Sequence, residues 1–421
     1  DLRASNLAHL LAISGLHMGL LTGFVFGLLR LILVPLALWF PVKKWAAVAA
    51  LLAGLGYLTL SGATVATQRA FIMTAVVFLA IILDRPALTL RSVALAATLI
   101  LIVRPESLVE AGFQMSFAAT TALVSVFEGL RSSGLWRKIT KNRWRITKGF
   151  LALTTTTLVA GTATAPFSAI HFNQISNYGF AANLLAVPAM SLAIMPAAVI
   201  AAVATPLGLQ AIPLSIMGAA IEWVLVVAKY FADRPGGVTY IIAPTVSVLP
   251  LFAIGGLALC ILVGRSRIFA LVLLGTASLI WAQTERPQVL VTGDGGFFGV
   301  STPNGRALSK SKGHGFAART WLENDGSGLD QARAAVLTTV PYDGWVVQRV
   351  LDEDQNAASK YCSEKTILIA PKASQLDGEC IKLTKQTLRE FGATAIKFDS
   401  GKVAIVPTLP QSKNRLWGRA Q

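Results

Sequence analysis

The stretch His9-Leu10-Leu11-Ala12-Ile13-Ser14-Gly15-Leu16-His17-Met18-Gly19 lies near the start of a hydrophobic run that continues to about Phe40. It sets two of the chain's four histidines, a serine and a glycine where an ordinary membrane helix carries leucines. Polar and ionisable groups at membrane depth are costly, so by default they mark an interior surface or a pathway. On one regular helix His9 and His17, eight residues apart, differ by about 80° in direction and about 12 Å along the axis. They cannot share a metal ion unless the helix breaks, and Ser14-Gly15 is the natural breaking point. Ser14 has no carboxylate or lysine beside it to activate it as a nucleophile. Two readings stay open: histidines hydrogen-bonded between packed helices, or residues lining a water-filled path.

Working outward, the composition decides the class. The 421 residues are 54% hydrophobic and only 14% charged, and the apolar runs repeatedly reach the ~20 residues that cross a bilayer. This predicts a polytopic α-helical membrane domain. Ten spans are expected, at 7–34, 46–61, 67–84, 89–103, 111–130, 149–170, 178–204, 209–232, 243–264 and 267–284. The first is long enough to tilt or break, and the fourth is short enough to be re-entrant. After Arg286 hydropathy falls and short strands are expected at 289–291, 297–300, 366–370 and 403–406, with short helices at 317–323 and 383–391. The expected organisation is a transmembrane domain over 1–285 and a small soluble α/β domain over 286–421. The opening Asp1-Leu-Arg-Ala-Ser-Asn has neither the basic start nor the cleavage site of a signal peptide, and the chain reads as a fragment of a longer one.

The net charge is +16, with 19 Lys+Arg against 8 Asp+Glu over 1–285 and 18 against 13 over 286–421. Most of the excess sits in loops between spans, as cytoplasmic retention of Lys and Arg requires. A polyanion partner is compatible with this charge but not demanded by it. The loop after the fifth span, with Arg131, Arg137, Lys138, Lys141, Arg143, Arg145 and Lys148, is assigned to the cytoplasm. Loops 62–66 and 171–177 carry no Lys, Arg, Asp or Glu. The resulting alternation puts the ends near His9, Arg69, Gln114, His171 and Asn177 on the outer side, together with the tail. That is what the mouth of a channel entered from outside needs.

Three further polar groupings interrupt the apolar runs. Gln68 and Arg69 open the third span; the arginine either snorkels to the interface or faces an anionic substrate. Gln114 and Ser116 open the fifth, where bonds across membrane helices are ordinary. His171, Asn173 and Asn177 form a turn, followed by Asn183, Pro188 and Pro196. That turn is either tightly packed or the rim of helices unwound around a cavity. In the tail, Cys362 and Cys380 either pair as a disulfide outside the cytoplasm or remain two buried thiols. His314 is the tail's sole histidine, too few for a hydrolytic two-metal site. No catalytic set, metal site, cofactor or nucleotide-binding Gly-rich loop is read from the sequence.

Taken in order, His9-Leu-Leu-Ala-Ile-Ser14-Gly15-Leu-His17-Met, Arg69-Ala70 with Met73, Gly112-Phe113-Gln114-Met-Ser116-Phe, and Asn177 with Gly179, Asn183 and Pro188 resemble the signature motifs of the ComEC family. The resemblance covers residues 5 to about 265. It implies a bacterial inner-membrane channel subunit that passes single-stranded DNA into the cytoplasm during natural transformation. It further implies that the channel contacts membrane lipids and works with a cytoplasmic DNA motor and a periplasmic DNA-binding protein. On this reading His9, Ser14, Gly15, His17 and Arg69 line or gate the pore. Gln68, Gln114, Ser116, His171, Asn173, Asn177, Asn183 and Pro188 hold the surrounding helices. The tail resembles a metallo-β-lactamase-like domain that lacks its His-rich metal motif, so the chain is expected not to be an enzyme. An exporter or lipid-handling transporter explains the spans equally well, and an outward-facing nuclease in the tail is a further alternative.

Overall fold

The computed structural model describes all residues except 12–14, 38, 142–143, 339–340, 342–343, 351–359, 374–377, 400–401 and 410–421. The chain divides into two compact units, one of residues 1–239 and 245–281, the other of 240–244 and 282–421.

The first unit is helical. In chain order it holds α1 (Ala8–Leu11), α2 (Gly15–Ile32), α3 (Val42–Leu60), α4 (Val65–Ile82), α5 (Leu90–Val103), α6 (Ala111–Ser132), α7 (Leu135–Thr140) and α8 (Arg145–Phe172). Strand β1 (Gln174–Ser176) leads into α9 (Gly179–Ala189), a π-helical turn at Met190–Ile194 and α10 (Met195–Ala204). Then come α11 (Ala211–Ala232), strand β2 (Val238–Tyr240) paired with β1, α12 (Val248–Ile261) and α13 (Arg267–Ala282).

Among the described residues six stretches are long and apolar enough to cross a membrane: Gly15–Ile32, Val65–Ile82, Thr147–Phe172, Gly179–Leu207, Ala211–Ala232 and Gly264–Ala282. These six do not by themselves confirm the expected count of ten, although a helix occupies each of the other four places. The shortfall has physical causes. Helices α5 and α12 have 14 residues each, about 21 Å of rise against a hydrocarbon core of about 30 Å. Helix α3 starts on Lys43-Lys44, and α6 carries Gln114, two threonines, Glu128 and Arg131.

Packing in this unit inverts the soluble pattern. Small residues are buried, among them Ala46, Ala47, Ala50, Ala182 and Ala186, while Leu31, Ile102, Leu192 and Val203 are exposed. That is how helices pack in lipid, where close backbone approach rather than hydrophobic burial holds neighbours together. The threonines of α8 do not form a polar lining of their own. Thr156, Thr162 and Thr164 donate to the carbonyls four residues back in the same helix, Ala152, Leu158 and Ala160. The helix after Asn177 is not unwound as the prolines suggested. Pro188 is accommodated inside α9, and the π turn that follows carries the helix on into α10.

The second unit carries the sheets. Strands β3 (Val289–Val291), β4 (Phe298–Thr302), β5 (Gly305–Leu308), β9 (Thr394–Asp399) and β10 (Lys402–Pro407) form an antiparallel sheet in the order β10-β9-β3-β4-β5. Strands β6 (Val346–Arg349), β7 (Thr366–Ala370) and β8 (Ile381–Thr384) form a parallel one. Helices α14 (Gly315–Asn324), α15 (Gln331–Ala334) and α16 (Lys385–Phe391) complete the unit. Val289, Val291, Ile367, Ile369, Leu383 and Ile396 form one buried core drawn from both sheets. Beside it Phe297 stacks between His314 and Trp321. Of the two readings open for Cys362 and Cys380, the structure has the disulfide.

A buried cation organises this unit that the sequence reading did not single out. Arg306 is 1% exposed. Its Nε donates to Asp325, its Nη1 to the carbonyls of Gln288 and Gly299, and its Nη2 to the Pro287 carbonyl and Asp325. All five guanidinium donors are thereby used. Asp325 also accepts from Arg286 Nε at 3.1 Å.

Candidate functional site

Helix α1 ends at Leu11 and α2 begins at Gly15; Ser14 lies outside the described residues. His9 is exposed on α1, and His17 stands on the first turn of α2. Gly15 sits opposite Ala70, whose Cβ lies 3.9 Å from where a Gly15 Cβ would be. Among the described residues no three His, Cys, Asp or Glu side chains gather as a metal site.

Arg69, on the first turn of α4, is not isolated from acidic groups as local sequence suggests. Its Nη1 lies 3.7 Å from Glu110 Oε2, brought from the residue before α6. Its guanidinium lies against Gly112, where an added Cβ would come within 2.8 Å of Nη2. Gln68 turns instead to its own helix entry, donating to the Ala63 carbonyl at 2.7 Å.

The two residues of the third motif join two others. Gln114 Nε2 donates to the Leu108 carbonyl at 2.9 Å, and its Oε1 lies 2.7 Å from His171 Nε2. With the amide nitrogen already donating, Oε1 is the acceptor and His171 the donor. Ser116 Oγ donates to Met73 Sδ at 3.8 Å, linking α6 to α4. Helix α12 is tied to α6 in the same way, Ser125 donating to the Cys260 carbonyl.

The turn at 171–183 closes the set. Asn173 ends α8 in the left-handed conformation, φ 54°, and is buried. Asn177 Nδ2 donates to the Gly236 carbonyl at 2.7 Å and to Thr239 Oγ1 at 2.8 Å. Asn183, buried in α9, donates to the Gly179 carbonyl and, at 3.5 Å, to the carbonyl of Asn6. Gly179 is the close approach that allows this, since a Cβ there would stand 2.9 Å from Asn6 Cβ. Asn6, Glu110, Gly236 and Thr239 are thus partners that sequence reasoning missed. Asn6 alone had a local signal, three residues before the first histidine in a polar opening.

These contacts fall at equivalent helix ends. They involve the starts of α2, α4, α6 and α9, the end of α8 and the segment after α11, with short connections making sequential helices antiparallel. The Competence protein family model matches residues 1–267, the part of the chain that contains every one of these pairs. The chain belongs to the Competence protein family. Within that family it is 30% identical over 197 residues to ComE operon protein 3 of Bacillus subtilis (strain 168). The alignment takes in 46% of this chain and 22% of that relative, so the chain spans a minor part of the relative's length. The ComEC resemblance carried by the four motifs and the family match agree. No solved structure matches the chain.

Proposed function

We propose that this Competence-family chain is a membrane subunit through which single-stranded DNA enters the cytoplasm during natural transformation. The observation that carries the reading is that Ser116–Met73 and Gln114–His171 join the second, third and fourth polar motifs, while Asn183 of the fourth reaches Asn6 just before the first. Polar groups so placed at membrane depth form a surface a polyanion can approach, and small buried residues leave the helices close enough to hold it. His9 stands on α1 and Gly15 and His17 on α2, with Arg69 at the rim beside Glu110. Ser14 belongs to the same segment by sequence. Gln114 with His171, Asn177 with Thr239, and Asn183 with Asn6 hold the frame around them.

The four apolar helices that fall short on length or polarity are assigned as membrane-embedded partners of the six longer ones, giving ten. In this reading the chain resides in a bacterial inner membrane with its tail in the periplasm. The Cys362–Cys380 disulfide supports that side, since such bonds persist in oxidising compartments. The chain carries out no chemical step itself. A cytoplasmic motor supplies the pull, and a periplasmic DNA-binding protein delivers the strand.

The test is uptake of fluorescent DNA by competent cells carrying His17→Ala, with membrane insertion confirmed by protease accessibility. Uptake should fall at least tenfold. Wild-type uptake at wild-type insertion would remove His17 from the path and count heavily against the channel.

A further inference from the structure

Between the start of α4, the end of α5 and the 3-10 turn at Pro105–Val109 lies a small cavity. Its walls are Val65, Ile72, Ile100 and Val103, and its polar groups are Gln68, Arg69, Arg104 and Ser107. Ser107 is 1% exposed, yet its Oγ has no hydrogen-bond partner among the described residues. A buried hydroxyl left in that state points to a missing polar ligand. Gln68 has its amide nitrogen engaged with Ala63. Arg104 makes no ion pair among the described residues. Among the described residues Arg69 pairs with Glu110 alone.

We propose that this cavity binds the phosphate of an anionic phospholipid, Arg69 and Arg104 clasping the phosphodiester and Ser107 donating to one of its oxygens. Guanidinium donors support that choice: Arg69 and Arg104 both line the cavity, with Glu106 in the 3-10 turn and Glu110 beside them, and among the described residues only Glu110 comes within ion-pair distance of either. Guanidinium forks suit phosphate oxygens better than ammonium groups do. The apolar walls point to lipid rather than to a nucleic-acid backbone. Val103 and its neighbour Ile102 are strongly exposed on a surface of a kind that faces acyl chains. No aromatic side chain lines the cavity on which a base could stack. Basic pockets between membrane helices hold lipid headgroups by the same combination.

The experiment is native mass spectrometry of the full chain released from bilayers of equal phosphatidylglycerol and phosphatidylcholine. The wild type should retain phosphatidylglycerol in preference to phosphatidylcholine. Arg104→Gln should weaken that retention about tenfold and Ser107→Ala several-fold. Arg69→Gln should also weaken it, but it disturbs Glu110 as well, so Arg104→Gln carries the decision. Equal retention of both lipids, or undiminished retention in Arg104→Gln, overturns the proposal. So does displacement of phosphatidylglycerol by a short oligodeoxythymidylate, which would make the cavity a nucleic-acid contact. Arg104 has no part in the proposed DNA path, so failure here leaves the His17 uptake test standing, and failure there leaves this one standing.

Discussion

Replacing Arg306 by Met removes a cation that is 1% exposed and whose five donors all have acceptors. Methionine fills similar volume, so little of the loss comes from a void. The carbonyls of Pro287, Gln288 and Gly299 are left without these donors. Asp325, 12% exposed as a side chain, keeps only Arg286. Breaking one side of a buried ion pair costs about 3–5 kcal/mol. Arg286 still compensates part of the Asp325 charge, which puts the expected cost near the lower limit, about 3 kcal/mol. At ~1.4 kcal/mol per decade this is roughly a hundredfold rise in opening. The readout is amide hydrogen exchange in the full chain, followed at β3, β4 and β5, with the helices of the first unit as internal reference. Arg306→Lys should fall between wild type and Met, because an ammonium keeps the charge but cannot serve five directions. Exchange in β3–β5 within threefold of wild type for Arg306→Met would refute the reasoning, since the guanidinium would then be holding nothing together.

Gly179→Ala should force Asn6 away from α9, costing about 1–3 kcal/mol of overpacking and lowering DNA uptake at normal membrane insertion; retained uptake together with unchanged thermal stability would contradict the close approach. Gln114→Leu and His171→Leu should each destabilise the α6–α8 contact, by about 1 kcal/mol, and a double-mutant cycle should show the two losses to be coupled rather than additive. Cys362→Ser should abolish the mobility difference between reduced and non-reduced chain and loosen the second unit by about 3 kcal/mol, the loop-closure value for an 18-residue separation. Asp294 offers a pH test. Partial burial pushes its carboxyl up, but the Thr292 hydroxyl at 2.5 Å, the Gly296 N–H at 2.9 Å and nearby His314 together hold it below the ordinary value. A lowered carboxyl stabilises the fold above its unfolded value of about 3.9 and loses that contribution as pH falls through the lower folded value. Exchange at the Gly293–Phe297 turn should therefore quicken below about pH 4 in the wild type, and Asp294→Asn should flatten that acid limb.

The architecture was legible where it depends on composition and period. Apolar runs located a helix for every expected span, and alternating or continuous apolar patches located β3, β4, β7 and β10. Strands β5, β6, β8 and β9 escaped because each mixes charged and apolar residues over four to six positions, as in Gly305-Arg306-Ala307-Leu308 and Ile381-Lys382-Leu383-Thr384. Burial of Arg306 on β5 is a tertiary fact: a lone arginine in a short strand reads as a surface residue until Asp325 and three carbonyls are brought around it. The same limit governs the site. His17 could be singled out from its place in an apolar run, but the packing of α2 against α3 and α4 that surrounds it is tertiary. Glu110 is 41 residues from Arg69 in sequence, so no local window could pair them.

That pairing bears on how arginine should be read in a membrane chain. Judged by local sequence, Arg69 was an unpaired cation that either snorkels or waits for substrate. In the structure it is neither fully neutralised nor free: at 3.7 Å from a half-exposed Glu110 the attraction is modest, and the guanidinium keeps donors facing the Ser107 cavity. Gly112 is what makes this geometry possible, because any side chain there would displace the guanidinium. Gly112→Ala therefore separates the two roles. It should disturb both lipid retention and the Glu110 contact while leaving His17 in place on α2. If Gly112→Ala lowers DNA uptake as strongly as His17→Ala, Arg69 belongs to the path. If uptake persists while phosphatidylglycerol retention falls, Arg69 serves the membrane side of the helices, and the path is left to the segment from His9 to His17.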